Sequence, residues 1–202
     1  KFKKIIYRIN KRMIILYKVC FGQRVNDDDY ERISSSPVGR PIIDNIPNMV
    51  TVCLTSVVQQ MTEEDSIIFF LDGVDKNNII EKVCTKHKVN YTINHFDHQC
   101  AVKINNETIL YIINEIDNDN EIIYLCEDDY LHYNNCLSRM KDFFEEYPNY
   151  FCHPIDYPNL YDKETHLGAK HFKQQSEIIV TKDWHWRRIK STTMTFAFKR
   201  HM

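Results

Sequence analysis

The sequence predicts an α/β protein with a single domain over residues 1–202, built on a mostly parallel sheet of about six strands flanked by helices. Three observations predict this fold class. The chain of 202 residues is long enough for one substantial core, and a second independent domain is not expected at this length. Apolar residues make up 43% of it, as in a globular protein. Short β-branched and aromatic runs alternate with segments of helical spacing, which is typical of βαβ units.

The expected strands are short runs rich in β-branched and aromatic residues. They are Met13–Cys20, Ser66–Leu71, Val89–Ile93, Glu121–Cys126, Tyr150–His153 and Ser176–Thr181. Between several of them, apolar residues recur at helical spacing. These are Ile46, Val50, Cys53, Leu54, Val57 and Met61, then Ile79, Ile80 and Val83, then Ile109, Ile112, Ile113 and Ile116, and finally Cys136, Leu137, Met140, Phe143 and Phe144. A strand followed by a helix, repeated, predicts a largely parallel sheet.

Composition and charge exclude several classes of protein. A formal net charge of -2 argues against a polycationic nucleic-acid binder, so we expect no nucleic-acid partner. No apolar stretch approaches the roughly 20 residues of a transmembrane helix, so we expect none. We interpret the basic residues 1–12 as an ordinary first strand or helix with solvated lysines. The alternatives are a trimmed terminus, a weak membrane-surface segment or a linker, in which case the chain is a piece of a longer protein.

The seven cysteines are scattered singly, mostly in apolar runs, with no C-x-x-C pair and no zinc-finger spacing. This pattern predicts buried free thiols rather than a disulfide framework. We therefore expect a reducing compartment, such as the cytoplasm.

An acidic triplet follows the expected strand in EIIYLCEDDY, residues 121–130. Three neighbouring carboxylates repel one another unless a cation or a set of hydrogen-bond donors compensates them. A hard divalent cation such as Mg²⁺ or Mn²⁺ needs only one or two carboxylates together with phosphate oxygens. If the chain stays extended, Glu127 and Asp129 share one face and Asp128 points to the other. Asp129 and Glu127 are thus the predicted metal ligands, and a solvated acidic turn is the alternative.

Asp72 ends another expected strand, in IIFFLDG. Ligands of open α/β sheets bind beyond the carboxyl ends of the strands, so Asp72 and the acidic triplet are expected to face one pocket. There Asp72 would accept hydrogen bonds from a ribose or a base, or serve only as a turn residue. The four glycines form neither a P-loop nor a G-x-G-x-x-G motif, which argues against P-loop kinases and Rossmann dehydrogenases.

Aromatic and basic residues are concentrated in IIVTKDWHWRRIKSTTMTF, residues 178–196. Trp186, with Trp184, is a candidate platform for a sugar ring, and Arg187 and Arg188 are candidates to neutralise phosphate oxygens. His185 is a candidate metal ligand or catalytic group. The alternative makes the tryptophans core anchors and the arginines surface charges.

The proline-containing segment YFCHPIDYPNLYD, residues 150–162, contains a candidate general base. Asp156 would take the proton of an acceptor hydroxyl, with His153 as the alternative base. A plain turn residue is the other interpretation of Asp156.

Three segments together resemble GT-A-fold glycosyltransferases of the family-2 type, which occur in bacteria and in large DNA viruses. They are YLCEDDYLHYNNCL, the aromatic Asp-Pro segment and HWRRIKSTTMTF. The resemblance covers the chain from about Met13 to its end. The acidic triplet stands where that fold has its D-x-D motif, here with Glu in the first place.

The resemblance implies transfer of a hexose or deoxyhexose from a UDP-sugar to a glycan or another hydroxyl acceptor. Mn²⁺ or Mg²⁺ would be held through Asp129, with Glu127 acting directly, through water or on the ribose. The first strand and Asp72 would hold the nucleoside, and Asp128 would support the same cofactor site. A viral relative would act in the host cytoplasm.

Two further functions stay open at this point. A sugar-nucleotide nucleotidyltransferase shares a related sheet but uses a Gly-rich loop with Arg and Lys after its first strand, and the sequence has none there. A non-catalytic carbohydrate-binding module would keep the fold without turnover.

Overall fold

A computed structural model describes residues 12–21, 46–98, 101–154, 177–188 and 195–202, with only the backbone of Ala101. The described strands are β1 (Met13–Cys20), β2 (Ser66–Asp72), β3 (Tyr91–Phe96), β4 (Ile122–Glu127), β5 (Ile178–Val180), β6 (His185–Arg187) and β7 (Phe196–Lys199). The helices are α1 (Ile46–Val58), α2 (Ile79–His87), α3 (Ala101–Glu115) and α4 (Cys136–Glu146). Each helix overlaps a segment for which the sequence predicts helical spacing.

The main sheet has five strands in the order β3-β2-β1-β4-β7. The first four are parallel, and β7 runs antiparallel to β4 with Phe196 opposite Leu125. A mostly parallel α/β sheet flanked by helices is therefore confirmed for the described part of the chain.

Two of the six expected strands do not enter this sheet as strands. Tyr150–His153 contributes only an isolated bridge between Cys152 and Ala197. Proline on either side of this segment, at Pro148 and Pro154, limits it because proline has no N–H to donate to a ladder. Within the expected Ser176–Thr181 strand, Ile178–Val180 form β5, which pairs with β6 in a separate two-stranded sheet. The fifth strand of the main sheet is instead β7, from the end of the STTMTF string.

Both faces of the sheet are covered by helices. Alternate β1 residues such as Ile15 and Tyr17 pack in a cluster with residues of α1, α2 and α4. The intervening Ile14 and Leu16 pack in a second cluster with α3 residues such as Ile112. Because neither face is left to water, these strands are apolar along almost their whole length.

A buried ion pair ties three elements together at the amino-terminal edge of the sheet. Lys141 of α4 approaches the Asp65 carboxylate at 2.7 Å, and the Asp65 side chain is fully buried. The same carboxylate accepts hydrogen bonds from the backbone N–H groups of Met13, where β1 begins, and Thr62, both at 2.9 Å. Asp65 therefore holds the start of β1, the segment before β2 and α4 in one arrangement.

We predict that Asp65→Ala lowers the free energy of unfolding by about 3–5 kcal/mol, since it leaves the Lys141 ammonium buried without its partner. Urea denaturation followed by circular dichroism measures this. The matched control is Arg188→Gln, which breaks an exposed ion pair to Glu177 and should cost less than about 1 kcal/mol. Equal losses in the two variants would contradict the role assigned to Asp65.

Candidate functional site

The acidic triplet lies at the topological switch point of the sheet. From β1 the chain adds β2 and β3 on one side, whereas β4 pairs with β1 on the other. The parallel register places the ends of β1 and β4 side by side, with Lys18 opposite Glu127. In open α/β sheets, the crevice beyond the carboxyl ends at such a point is where ligands bind.

The strand ends at Glu127, and Asp128 and Asp129 form a turn. The expectation of an extended triplet with alternating faces is therefore wrong beyond Glu127, because the turn redirects the chain. Asp128 is buried, and its Oδ2 accepts a hydrogen bond from the backbone N–H of Cys20 at 3.0 Å. This bond fastens the acidic turn to the end of β1.

Glu127 is held on the α3 side of the sheet. Its Oε1 lies 3.5 Å from the Lys18 ammonium, which also donates to Asn105 of α3 at 2.8 Å. Its Oε2 accepts from the Thr195 hydroxyl at 3.3 Å, and Thr195 in turn accepts from the Glu127 N–H. About a third of the Glu127 side chain stays exposed. The carboxylate is thus oriented from two sides and still accessible.

The surroundings of Glu127 also shift the pKa values of two bases. Burial lowers the pKa of Lys18, and the Glu127 carboxylate acts in the opposite direction. Burial lowers the pKa of His153 as well, while its hydrogen bond to the Thr195 carbonyl and the charge of Glu127 oppose the shift. Lys18, Thr195 and His153 therefore surround one carboxylate, each from a different element or segment.

Asp129 is partly exposed and acts electrostatically on the α1 side. Burial raises the pKa of the Cys53 thiol to about 11, with Asp129 and then Asp128 as further causes. Burial is the largest cause that raises the pKa of Tyr17. The charges of Cys126, Asp128 and Asp129 raise this pKa further. Within the triplet, Glu127 therefore pairs with Lys18 and Thr195, while the two aspartates act on Cys53 and Tyr17.

Asp72 lies at the end of β2, where it is 2% exposed. Its Oδ1 accepts a hydrogen bond from the backbone N–H of His98 at 2.9 Å, and its carbonyl accepts from the Phe21 N–H. Asp72 therefore orders the backbone after β1 and after β3. The structure places it at the same edge of the sheet as the acidic turn.

Residues 178–187 of the aromatic and basic motif form the β5–β6 hairpin, whose described side-chain contacts include two to α4. Trp186 packs against Phe143 with ring centroids 4.9 Å apart, and Arg139 stacks over the Trp184 ring. His185 is exposed. Arg188 pairs with Glu177 at 3.0 Å, and Arg187 is half-buried on β6. The hairpin thus packs against α4, which is the helix that comes after the acidic turn in the sequence.

The candidate base Asp156 lies outside the described residues. Within the described ranges, no three His, Cys, Asp or Glu side chains already converge to hold a cation. Two carboxylates and phosphate oxygens suffice for Mg²⁺ in nucleotide sites, so the oxygen donors of Glu127 and Asp129 fit a hard cation shared with a ligand.

A buried histidine holds the segment between the acidic turn and α4. The backbone N–H of His132 donates to the Ser56 hydroxyl of α1 at 2.9 Å, and the ring Nδ1 of His132 lies 3.1 Å from the Tyr130 carbonyl. Since that carbonyl can only accept, Nδ1 carries the proton and Nε2 accepts from the Tyr124 hydroxyl. Burial lowers the pKa of His132 to about 4. The ring is neutral in the native protein.

Sequence reasoning missed Lys18, Thr195, His132 and Arg139. Lys18 left a usable signal, because it is the one charged residue in the apolar strand MIILYKVC. A lysine is rarely buried unless it is paired, so its position indicated a buried partner. Thr195 contacts Glu127, which is 68 residues away in the sequence, and His132 contacts Ser56, which is 76 residues away. Arg139 contacts Trp184 of the later hairpin. Local sequence patterns do not show such distant partners.

Comparisons of the chain with protein-family models, curated proteins and solved structures found no match. In the described part of the chain, no helix combines the length and apolar character that crossing a membrane requires. The six described cysteines are all free thiols, and four of them are buried. The fold and the site thus define a mostly parallel α/β protein with an acidic switch point.

We predict that His132 makes the stability of the protein depend on pH. In the unfolded chain this group takes up a proton near its ordinary pKa of 6.5, but in the native protein only near 4. Its contribution is therefore complete above pH 6.5 and is lost as the pH falls toward 4, by about 3 kcal/mol in all. Urea denaturation of the wild type and of His132→Gln between pH 7 and pH 4 measures it. The stability difference between the two should shrink toward pH 4, and a constant difference would contradict the prediction.

Proposed function

We propose that this protein is a metal-dependent glycosyltransferase that moves a hexose or deoxyhexose from a UDP-sugar to a glycan or another hydroxyl acceptor. The observation that carries the proposal is the position of the Glu127–Asp129 turn at the carboxyl ends of β4 and β1, at the switch point of the sheet. Acidic residues in this crevice suit a diphosphate bound through a divalent cation, since the chain has no glycine-rich phosphate loop.

Asp129 and Glu127 are the residues that would hold Mn²⁺ or Mg²⁺. When bound, such a cation supplies charge neutralisation to the departing diphosphate. Lys18 and Thr195 orient the Glu127 carboxylate, and the Cys20 N–H fixes Asp128. With its turn held in this way, Asp129 can meet a ligand with little reorganisation, which favours binding.

The remaining candidates take their roles from their places around this turn. Asp72 would line the nucleoside side of the crevice, at the end of the neighbouring β2. Trp186, Arg187 and Arg188 of the hairpin would meet the donor, with His185 as a further metal ligand or catalytic group. Asp156 would serve as the general base toward the acceptor hydroxyl.

We predict that UDP binds in the presence of Mn²⁺ and that Asp129→Asn weakens this binding at least about 10-fold, because an interaction with a charged group is lost. Isothermal titration calorimetry of UDP, GDP and CMP with and without Mn²⁺ measures it. The matched control is Asp117→Asn, an exposed acid between α3 and β4 and thus at the opposite edge of the sheet. It should bind UDP as the wild type does.

Metal-independent binding of UDP, or unchanged binding in Asp129→Asn, would refute the site. Once UDP binding is established, release of free sugar from UDP-hexoses tests turnover. A protein that binds the UDP-sugar with Mn²⁺ but never releases sugar, with or without acceptors, would be a binding module rather than a transferase.

A further inference from the structure

The interface between the β5–β6 hairpin and α4 contains an unusual pair of contacts. Trp184 and Trp186 are two residues apart, so an extended chain directs both indoles to the same side. There they meet Arg139 and Phe143, which are four residues apart and lie on one face of α4. The two tryptophans therefore pack in a row along one face of α4, and the Arg139 guanidinium contacts one of them.

Two buried N–H donors in this interface have no acceptor among the residues that the structure describes. Arg139 Nε and Trp186 Nε1 are both inaccessible to solvent, and neither makes a hydrogen bond within the described structure. A buried donor without a partner costs about 1–3 kcal/mol, and more when it is charged. Such groups are rare in native proteins and usually mark a bound water, ion or ligand.

The charge of Arg139 also stands without a carboxylate. In the described part of the chain no acid forms an ion pair with it, in contrast to Arg188, which pairs with Glu177. Its guanidinium lies 3.2 Å from the centroid of the Trp184 ring. A guanidinium over an indole keeps its edge N–H groups for two parallel hydrogen bonds to a carboxylate or phosphate group, which lysine does not offer.

We propose that this interface is a binding site for an oxyanion, a carboxylate or phosphate group that accepts hydrogen bonds from Arg139 Nε and Trp186 Nε1. The exposed part of the Trp184 ring, at 42% of the residue, offers an apolar surface beside it for a sugar ring that bears the anion. Acidic sugars and sugar phosphates are the class of ligand that this chemistry fits. The site shares Trp186 with the proposed donor contacts, but it uses neither the acidic turn nor a metal.

The two tryptophans of the chain give two indole N–H signals in a ¹H–¹⁵N spectrum, and Trp184→Phe assigns them. Without metal or nucleotide, we expect inorganic phosphate or glucuronate to shift the Trp186 signal in a saturable way, while neutral glucose leaves it in place. The anion that binds more tightly identifies the class of oxyanion. Asp129→Asn should give the same titration, which separates this site from the acidic turn.

Arg139→Gln should weaken anion binding by roughly 10-fold or more, since it removes the charged donor. Lys103→Gln is the matched control, because it removes an equal charge from an exposed position of α3, on the opposite face of the sheet, and should bind as the wild type does. If Arg139→Gln does not fold, Arg139→Lys decides instead, since it keeps the charge but lacks the planar fork. No shift with either anion, or equal binding in the Arg139 and Lys103 variants, would overturn the proposal.

Discussion

The central position of β1 is the constraint on which the rest of the structure depends. β1 pairs in parallel with β2 on one side and with β4 on the other, and its residues from Met13 to Val19 are all buried. A strand that is hydrogen-bonded along both edges cannot slip, because a shift of one residue would exchange its two buried faces. The other strands of the main sheet are positioned by this register, and so are the ends of β1 and β4 that form the crevice.

The ion pairs at the two edges of the sheet have different roles. At the amino-terminal edge, the buried Asp65–Lys141 pair joins β1 to α4, and its value is structural. At the carboxyl-terminal edge, the pair of Lys18 with Glu127 is longer, and it joins a buried lysine to a carboxylate that is one third exposed. A longer pair with one exposed partner contributes less to stability than the Asp65–Lys141 pair. This difference between the two edges arises because the parallel strands all have their carboxyl ends at one edge.

The sequence allowed the α/β class, the four helices and four of the five strands of the main sheet to be predicted, since these follow from local periodicity. The role of β7 could not be predicted from the sequence, because a short antiparallel strand is defined by its pairing with β4. The acidic turn was recognised as a candidate site, but the orientations of its carboxylates were not. Alternation holds only while the chain is extended, and the position of the Cys20 N–H that captures Asp128 depends on the parallel register.

The candidate acidic site and the proposed oxyanion site are joined by one short segment. The acidic turn ends at Asp129 and Arg139 lies in the first turn of α4, so only the residues around His132 separate them. His132 is anchored to Ser56 of α1 and to Tyr124 of β4, both in the core. Because neutral His132 fixes this segment, the separation between the carboxylates and the guanidinium is set by the native fold.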